Sequence, residues 1–124
     1  MAKETKETAF DPEAFLPLKK DAFHILVALA DGDRHGYSIM REVAQRTDGK
    51  VRLSPSGLYG AIKRMLEDGL IEELAERPDP ENDDERRRYY RLTRRGRQVA
   101  AAEVRRLESL LDYVKASGLL RRRG

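Results

Sequence analysis

Ser54-Pro55-Ser56-Gly57-Leu58-Tyr59-Gly60-Ala61-Ile62-Lys63-Arg64-Met65-Leu66 carries the clearest helix start in the chain. Ser54 is a side-chain N-cap, and Pro55 stands at the first helical position, where a missing N–H is no loss. Leu58, Ala61, Ile62, Met65 and Leu66 then recur at the spacing of one buried face, and Gly69 ends the helix. The opposite face presents Ser56, Gly57, Tyr59, Gly60, Lys63 and Arg64. Gly57 and Gly60 each lower helix propensity by about 1 kcal/mol relative to alanine. Close approach of this helix to a ligand is a physical reason to carry them.

Toward the N-terminus, a helix over about Gly36 to Arg46 buries Ile39, Met40, Val43 and Ala44, and Thr47-Asp48-Gly49 closes it. Before it, a helix over about Lys19 to Ala30 places Phe23, Leu26, Val27 and Ala30 on one face and stops at Asp31-Gly32-Asp33. Asp11-Pro12-Glu13-Ala14 reads as a short helix start that Pro17 interrupts, and residues 1–9 are polar without periodicity and expected to be disordered. Toward the C-terminus come two strands, Leu70 to Ala75 and Arg87 to Leu92. In the second, Tyr90 and Leu92 share one face while Tyr89 and Arg91 share the other. The segment between them, Glu76 to Arg86, reads as a long polar hairpin loop. Thr93 caps a final helix that runs to about Ser117.

Three helices followed by a hairpin make a mainly α, winged helix-turn-helix fold, with a two-stranded wing and a C-terminal helix for dimerisation. The expected organisation is a winged domain with an N-terminal arm over residues 10–92, the dimerisation helix over 93–118 and a basic tail over 119–124. In this motif the third helix lies in the DNA major groove, with the residues of its first turn at the base edges. Ser54, Ser56 and Tyr59 offer hydroxyls, Gly57 permits close approach, and Lys63 and Arg64 lie a turn later, where phosphates run. The alternative for Tyr59 is a ring packed on the wing; for Lys63 and Arg64 it is a solvated face.

The charge pattern points the same way. The net charge is only +3, but the charges are segregated. Glu76 to Glu85 holds six acids and one base; Arg86 to Arg106 holds nine arginines and one acid. Lys115, Arg121, Arg122 and Arg123 follow. Such blocks fit a polyanionic partner, with a solvated surface as the alternative. The acidic loop is expected to stand off from DNA and to be mobile, leaving Arg86, Arg87 and Arg88 at its base to contact the backbone.

The final helix carries Ala100, Val104, Leu107, Leu111 and Val114 at spacings of four and three, with Leu110 widening the stripe. This is a coiled-coil seam over about two heptads. The winged domain closes its own core, so the seam needs another surface. A second subunit is the expected one, and folding back on the first helix of its own chain is the alternative.

Several classes of function find no support. Cysteine is absent, which removes disulfides, thiolate metal sites and a cysteine nucleophile. His24 lies within an apolar helix and His35 at a helix start, where capping explains it; no metal-ligand spacing results. Asp83 and Asp84 lie in a polar loop that lacks the surroundings of a general acid, and no phosphate-binding glycine loop is present. No cofactor, metal or enzymatic activity is expected. The opening residues have no apolar stretch of signal-peptide type, and Ala22 to Ala30 is too short to span a membrane. A soluble, cytoplasmic protein is expected.

Four segments together resemble the PadR family of bacterial transcriptional regulators: His35-Gly36-Tyr37, Leu53 to Tyr59, Lys63 to Ile71, and Arg88-Tyr89-Tyr90-Arg91-Leu92-Thr93. The similarity covers about residues 16–115. It implies a homodimeric winged-helix repressor of the short subfamily, which has one C-terminal helix. In that family the C-terminal and N-terminal helices form the dimer interface, which adds Phe15 and Leu16 to the seam. Some members release DNA on binding a small, often aromatic molecule. The chain departs from the family in having Gly57 where Ser or Thr is usual and Gly60 where many members have Pro. It has no Trp to line a drug site. The resulting expectation is a sequence-specific regulator that binds double-stranded DNA as a homodimer. The alternative is a winged-helix protein-interaction module that binds no DNA, which would carry an acidic or apolar surface on the third helix.

Overall fold

The computed structural model describes residues 9–120, without the side chains of residues 82–84. The disorder expected over residues 1–9 therefore falls, but for Ala9, outside the described residues. So do the arginines at 121–123 of the basic tail and the side chains of Asp83 and Asp84.

A 3-10 turn, Pro12–Phe15, is capped by Asp11, whose carboxylate accepts from the Glu13 N–H at 3.0 Å. Helices α1 (Lys20–Ala28), α2 (Gly36–Arg46) and α3 (Pro55–Glu67) form the trio, and α4 (Arg94–Ala116) is the long C-terminal helix. The caps are those the sequence marks. Ser54 Oγ accepts from the Gly57 N–H at 3.0 Å, and Thr93 Oγ1 accepts from the Gly96 N–H at 3.0 Å while donating to the Gly69 carbonyl at 2.7 Å. Thr93 thus joins the start of α4 to the end of the α3 region. Gly96 makes that junction possible: a Cβ there would lie 2.9 Å from the Leu70 carbonyl carbon and 2.8 Å from Leu92 Cδ1.

One core joins the elements. Ile25, Leu26 and Leu29 of the α1 region meet Ile39 and Val43 of α2, Leu58, Ile62 and Met65 of α3, and Leu70, Leu92 and Val99. Each such side chain stabilises the fold by about 1.5–3 kcal/mol. The buried residues of α1 differ from the expected face. Ile25, Leu26, Ala28 and Leu29 are buried, whereas Phe23 and Val27 are only partly so and Ala30 is exposed. The reason is that α1 packs against α2, α3 and α4 together, so a single-stripe reading underestimates its buried side.

The β structure is richer than a two-stranded wing. Strands β1 (Arg34–His35), β2 (Ile71–Glu73) and β5 (Tyr89–Leu92) form an antiparallel sheet in the order β1-β5-β2, with Arg34 opposite Tyr90 and Ile71 opposite Leu92. The expected polar loop also contains β3 (Arg77–Asp79) and β4 (Asn82–Arg87), which pair as a second hairpin with a register shift at Pro78/Asp79. Pro78 is tolerated there because β3 is an edge strand. This hairpin covers β5, so Tyr89 is buried as well as Tyr90, contrary to the simple alternation read from the sequence. Among the described residues, no helix is long and apolar enough to cross a membrane, and no group of three or more His, Asp or Glu could hold a metal ion.

Candidate nucleic-acid interface

Helix α3 turns Leu58, Ala61, Ile62 and Met65 inward and leaves Ser56, Tyr59, Lys63 and Arg64 exposed. Ser54 is engaged as the cap, with its hydroxyl 3.5 Å from that of Ser56. Gly57 faces α1: a Cβ there would lie 3.6 Å from Asp21 Oδ2. Gly60 is half-buried. Ser56, Tyr59 and Lys63 share one face, and Lys63 makes no ion pair among the described residues. Arg64 lies on another flank, bordering a cleft with Phe15, Pro17, Leu18 and Lys19.

Tyr59 is 49% exposed, and its ring end rests on the backbone of Gly36. A Cβ at Gly36 would lie 2.8 Å from Tyr59 Cζ and nearer still to the hydroxyl. The ring therefore packs in part, as the alternative reading has it, but chiefly on the start of α2. Tyr90 is close by. Its phenol is pushed above the usual value by burial, with Glu73 and Tyr59 adding to the shift.

The three wing arginines are all engaged within the chain. Arg86 donates to the Glu76 carbonyl at 2.9 Å, and Arg88 to Glu73 at 2.9 Å and Glu76 at 3.4 Å. Arg87 is half-buried and donates to Asp79 at 3.1 Å. The acids of the 76–85 segment thus neutralise the bases beside it, a pairing across the sheets that no sequence window displays.

Sequence reasoning missed the residues that dock the second hairpin on α2. Asp79 is buried and accepts from the Glu81 N–H at 2.9 Å and from Arg87; these bonds hold its carboxyl below the usual range. Arg41 pairs with Glu81 at 2.6 Å, and Asp33 accepts from Arg91 and Arg77, each at 3.1 Å. Asp33 is accordingly lowered, first by Arg91. His35 caps α2 as read from the sequence: its Nδ1 accepts from the Ser38 N–H at 3.1 Å. The neutral ring then carries its proton on Nε2, 3.8 Å from Asp79 Oδ1, with Tyr89 edge-on at 5.3 Å. Burial lowers the pKa of His35. The only signal in the sequence was the isolated His-Gly-Tyr triplet, and its partner Asp79 is distant in the chain.

On α4, Val104, Leu107, Leu110 and Leu111 are exposed, while Ala100 and Val114 are half-buried. A different side of the helix, with Val99, Ala102 and Glu103, packs on its own domain. Glu103 is buried, accepts from Arg106 at 2.7 Å and from the Leu18 N–H at 3.2 Å, and is lowered chiefly by Arg106. Phe15 and Leu16 are half-buried against the core of their own chain.

Known proteins resemble this chain in sequence or in fold. The chain is 35% identical over 95 residues to a 37.1 kDa protein of a Streptomyces fradiae transposon, a match that covers 77% of this chain and only 25% of that protein's length. A PadR family transcription regulator from Clostridium difficile has a similar fold, with a TM-score of 0.66 at 23% identity over 79% of this chain and 97% of the other. So has Bacillus subtilis PadR solved in complex with operator DNA, with a TM-score of 0.57 at 20% identity over 67% of this chain and 46% of that one. The profile of the transcriptional regulator PadR-like family matches residues 25–102, and the chain belongs to that family.

Proposed function

We propose that the protein is a sequence-specific DNA-binding repressor that occupies a pseudo-palindromic operator as a homodimer. PadR-like proteins are transcription regulators rather than enzymes. The observation that carries the reading is the exposed Ser56–Tyr59–Lys63 face of α3, whose lysine makes no ion pair among the described residues. It is neither acidic nor apolar, as a protein-binding version of this helix would be. A protein of similar fold, Bacillus subtilis PadR, has been solved with operator DNA. Ser56 and Tyr59 would approach base edges and Lys63 would meet phosphates, with Ser54 fixing the helix start, whereas Gly57 faces α1 and Arg64 borders the arm cleft. Arg86, Arg87 and Arg88 enter second, because each must exchange a partner within the chain for a phosphate.

The exposed Val104, Leu107, Leu110 and Leu111 support a second copy as the cover of α4, with Ala100, Val114, Phe15 and Leu16 at its edges. Two α3 helices about 34 Å apart then read successive major grooves and block the promoter. The cleft between the N-terminal arm and α3, about 230 Å³ and lined by Phe15, Leu18, Ala61 and Met65, would suit a small aromatic effector. Lys19 and Arg64 at the same cleft favour one with an anionic group. The protein would act in the cytoplasm.

Selection of bound sequences from a random duplex pool tests the reading. An inverted repeat with half-sites about ten base pairs apart is expected. Recovery of no sequence preference would overturn it in favour of a protein-interaction module.

A further inference from the structure

Tyr37 stands in the first turn of α2 and is 50% exposed, a large aromatic side chain facing solvent. Two cations flank its ring. The Arg41 guanidinium lies 5.2 Å from its ring centroid and the Arg87 guanidinium 5.8 Å away, both within the range of cation–π attraction. Each cation is itself anchored, Arg41 by Glu81 and Arg87 by the buried Asp79. The Tyr37 hydroxyl makes no hydrogen bond among the described residues. Its chain neighbour Gly36 is the residue on which Tyr59 rests, so Tyr37 follows directly on the contact between α2 and α3.

We infer that Tyr37 is a further DNA contact and that its hydroxyl donates to a backbone phosphate oxygen beside the half-site read by α3. The inference rests on the DNA-binding reading and extends it to α2. In a helix-turn-helix, the helix before the reading helix crosses the sugar–phosphate backbone, which places the first turn of α2 at phosphates rather than at base edges. A phenol already fixed by two arginines surrenders little rotamer freedom on binding. The same geometry gives the second hairpin a role: through Asp79 and Glu81 it positions Arg87 and Arg41, and through them the ring.

The test is Tyr37→Phe, which removes one exposed hydroxyl oxygen and should leave the melting temperature unchanged. Binding is titrated on the selected operator and on a mixed-sequence duplex over a range of salt concentrations. Affinity should fall by about tenfold on both duplexes, the worth of a hydrogen bond to a charged oxygen. The slope of log affinity against log salt should not change, since a neutral hydroxyl displaces no counterion. Wild-type affinity on both duplexes would overturn the assignment. A loss confined to the operator would also overturn it and make Tyr37 a base reader. Failure of the wild-type protein to bind either duplex would overturn the DNA-binding reading together with this inference.

Discussion

Gly36 at the start of α2 lies directly beneath the ring end of Tyr59 on α3, so close that a Cβ there would fall 2.8 Å from Tyr59 Cζ. Two motifs that the sequence presents separately, His35-Gly36-Tyr37 and Leu53 to Tyr59, are therefore one contact. The glycine is needed for space: it lets a large side chain of α3 settle on the neighbouring backbone.

Gly36→Ala should consequently act through Tyr59. The obstructing atoms belong to the end of a half-exposed side chain that can swing away, so the stability cost should be small, under about 1 kcal/mol. Operator affinity should fall as far as in Tyr59→Ala, by about 1–3 kcal/mol. The double variant Gly36→Ala/Tyr59→Ala should bind like Tyr59→Ala alone, because both changes remove the same positioned ring. Additive losses in the titrations would show that Gly36 serves DNA binding independently of Tyr59.

Lys63 and the wing arginines should separate in salt dependence. Lys63→Ala should weaken binding to all sequences and make the salt slope shallower by about 1. Arg86 and Arg88 already face Glu76 and Glu73, so the double variant Arg86→Ala/Arg88→Ala should change the slope less than Lys63→Ala alone. Arg87→Ala should instead show in thermal melting, with a drop of a few degrees, because it strips the buried Asp79 carboxylate of a donor. An equal loss of slope in both sets would place the wing on the backbone as firmly as α3.

Burial of His35 gives stability a pH dependence. Burial lowers its folded pKa, so the unfolded chain takes up a proton first, at about pH 6.5. Stability is therefore full above that value and declines as the pH falls through it toward the lower folded pKa. Protonation at Nδ1 also breaks the Ser38 cap. Asp33, Asp79 and Glu103 are lowered carboxylates whose contribution fades only in the ordinary carboxylate range and below. Denaturant unfolding between pH 7.5 and 5.5 isolates the histidine: wild-type protein should lose stability across that interval. His35→Asn keeps a capping acceptor but cannot titrate there, and should lose much less. Parallel curves would remove His35 from this role.

Much of the fold was legible because its signals are local. Ser54-Pro55, Thr93 and the apolar spacing of α3 each act within a turn of themselves, and the corresponding caps are present. The second hairpin was not legible for the opposite reason. Residues 76–87 have no apolar alternation, and the groups that order them, Asp33, His35 and Arg41, lie on other elements. The same holds for the site. The exposed face of α3 follows from periodicity, whereas the engagement of Arg86, Arg87 and Arg88 by Glu73, Glu76 and Asp79 emerges only when the strands pair. Tyr37 was quoted as part of a motif, but its anchoring depends on Arg87, a residue fifty positions further along the chain.

The seam on α4 links assembly to binding. Leu107 and Leu111 are adjacent along the stripe and exposed in the single chain, so Leu107→Glu/Leu111→Glu places charges that one protomer tolerates in solvent. In a dimer the same change would put four carboxylates into one interface, each costing several kcal/mol if buried unpaired. A two-heptad seam has no such reserve. The variant should sediment as a monomer and melt close to wild type, because Val99, Ala102 and Glu103, which dock α4 on its own domain, are untouched. Operator affinity should fall by about a hundredfold or more, since one winged domain contacts one half-site and loses the tethered second contact. Affinity for a single half-site should stay near wild type. Sedimentation as a dimer would overturn the seam. A folded monomer with undiminished operator affinity would show that the operator is not read by two tethered copies.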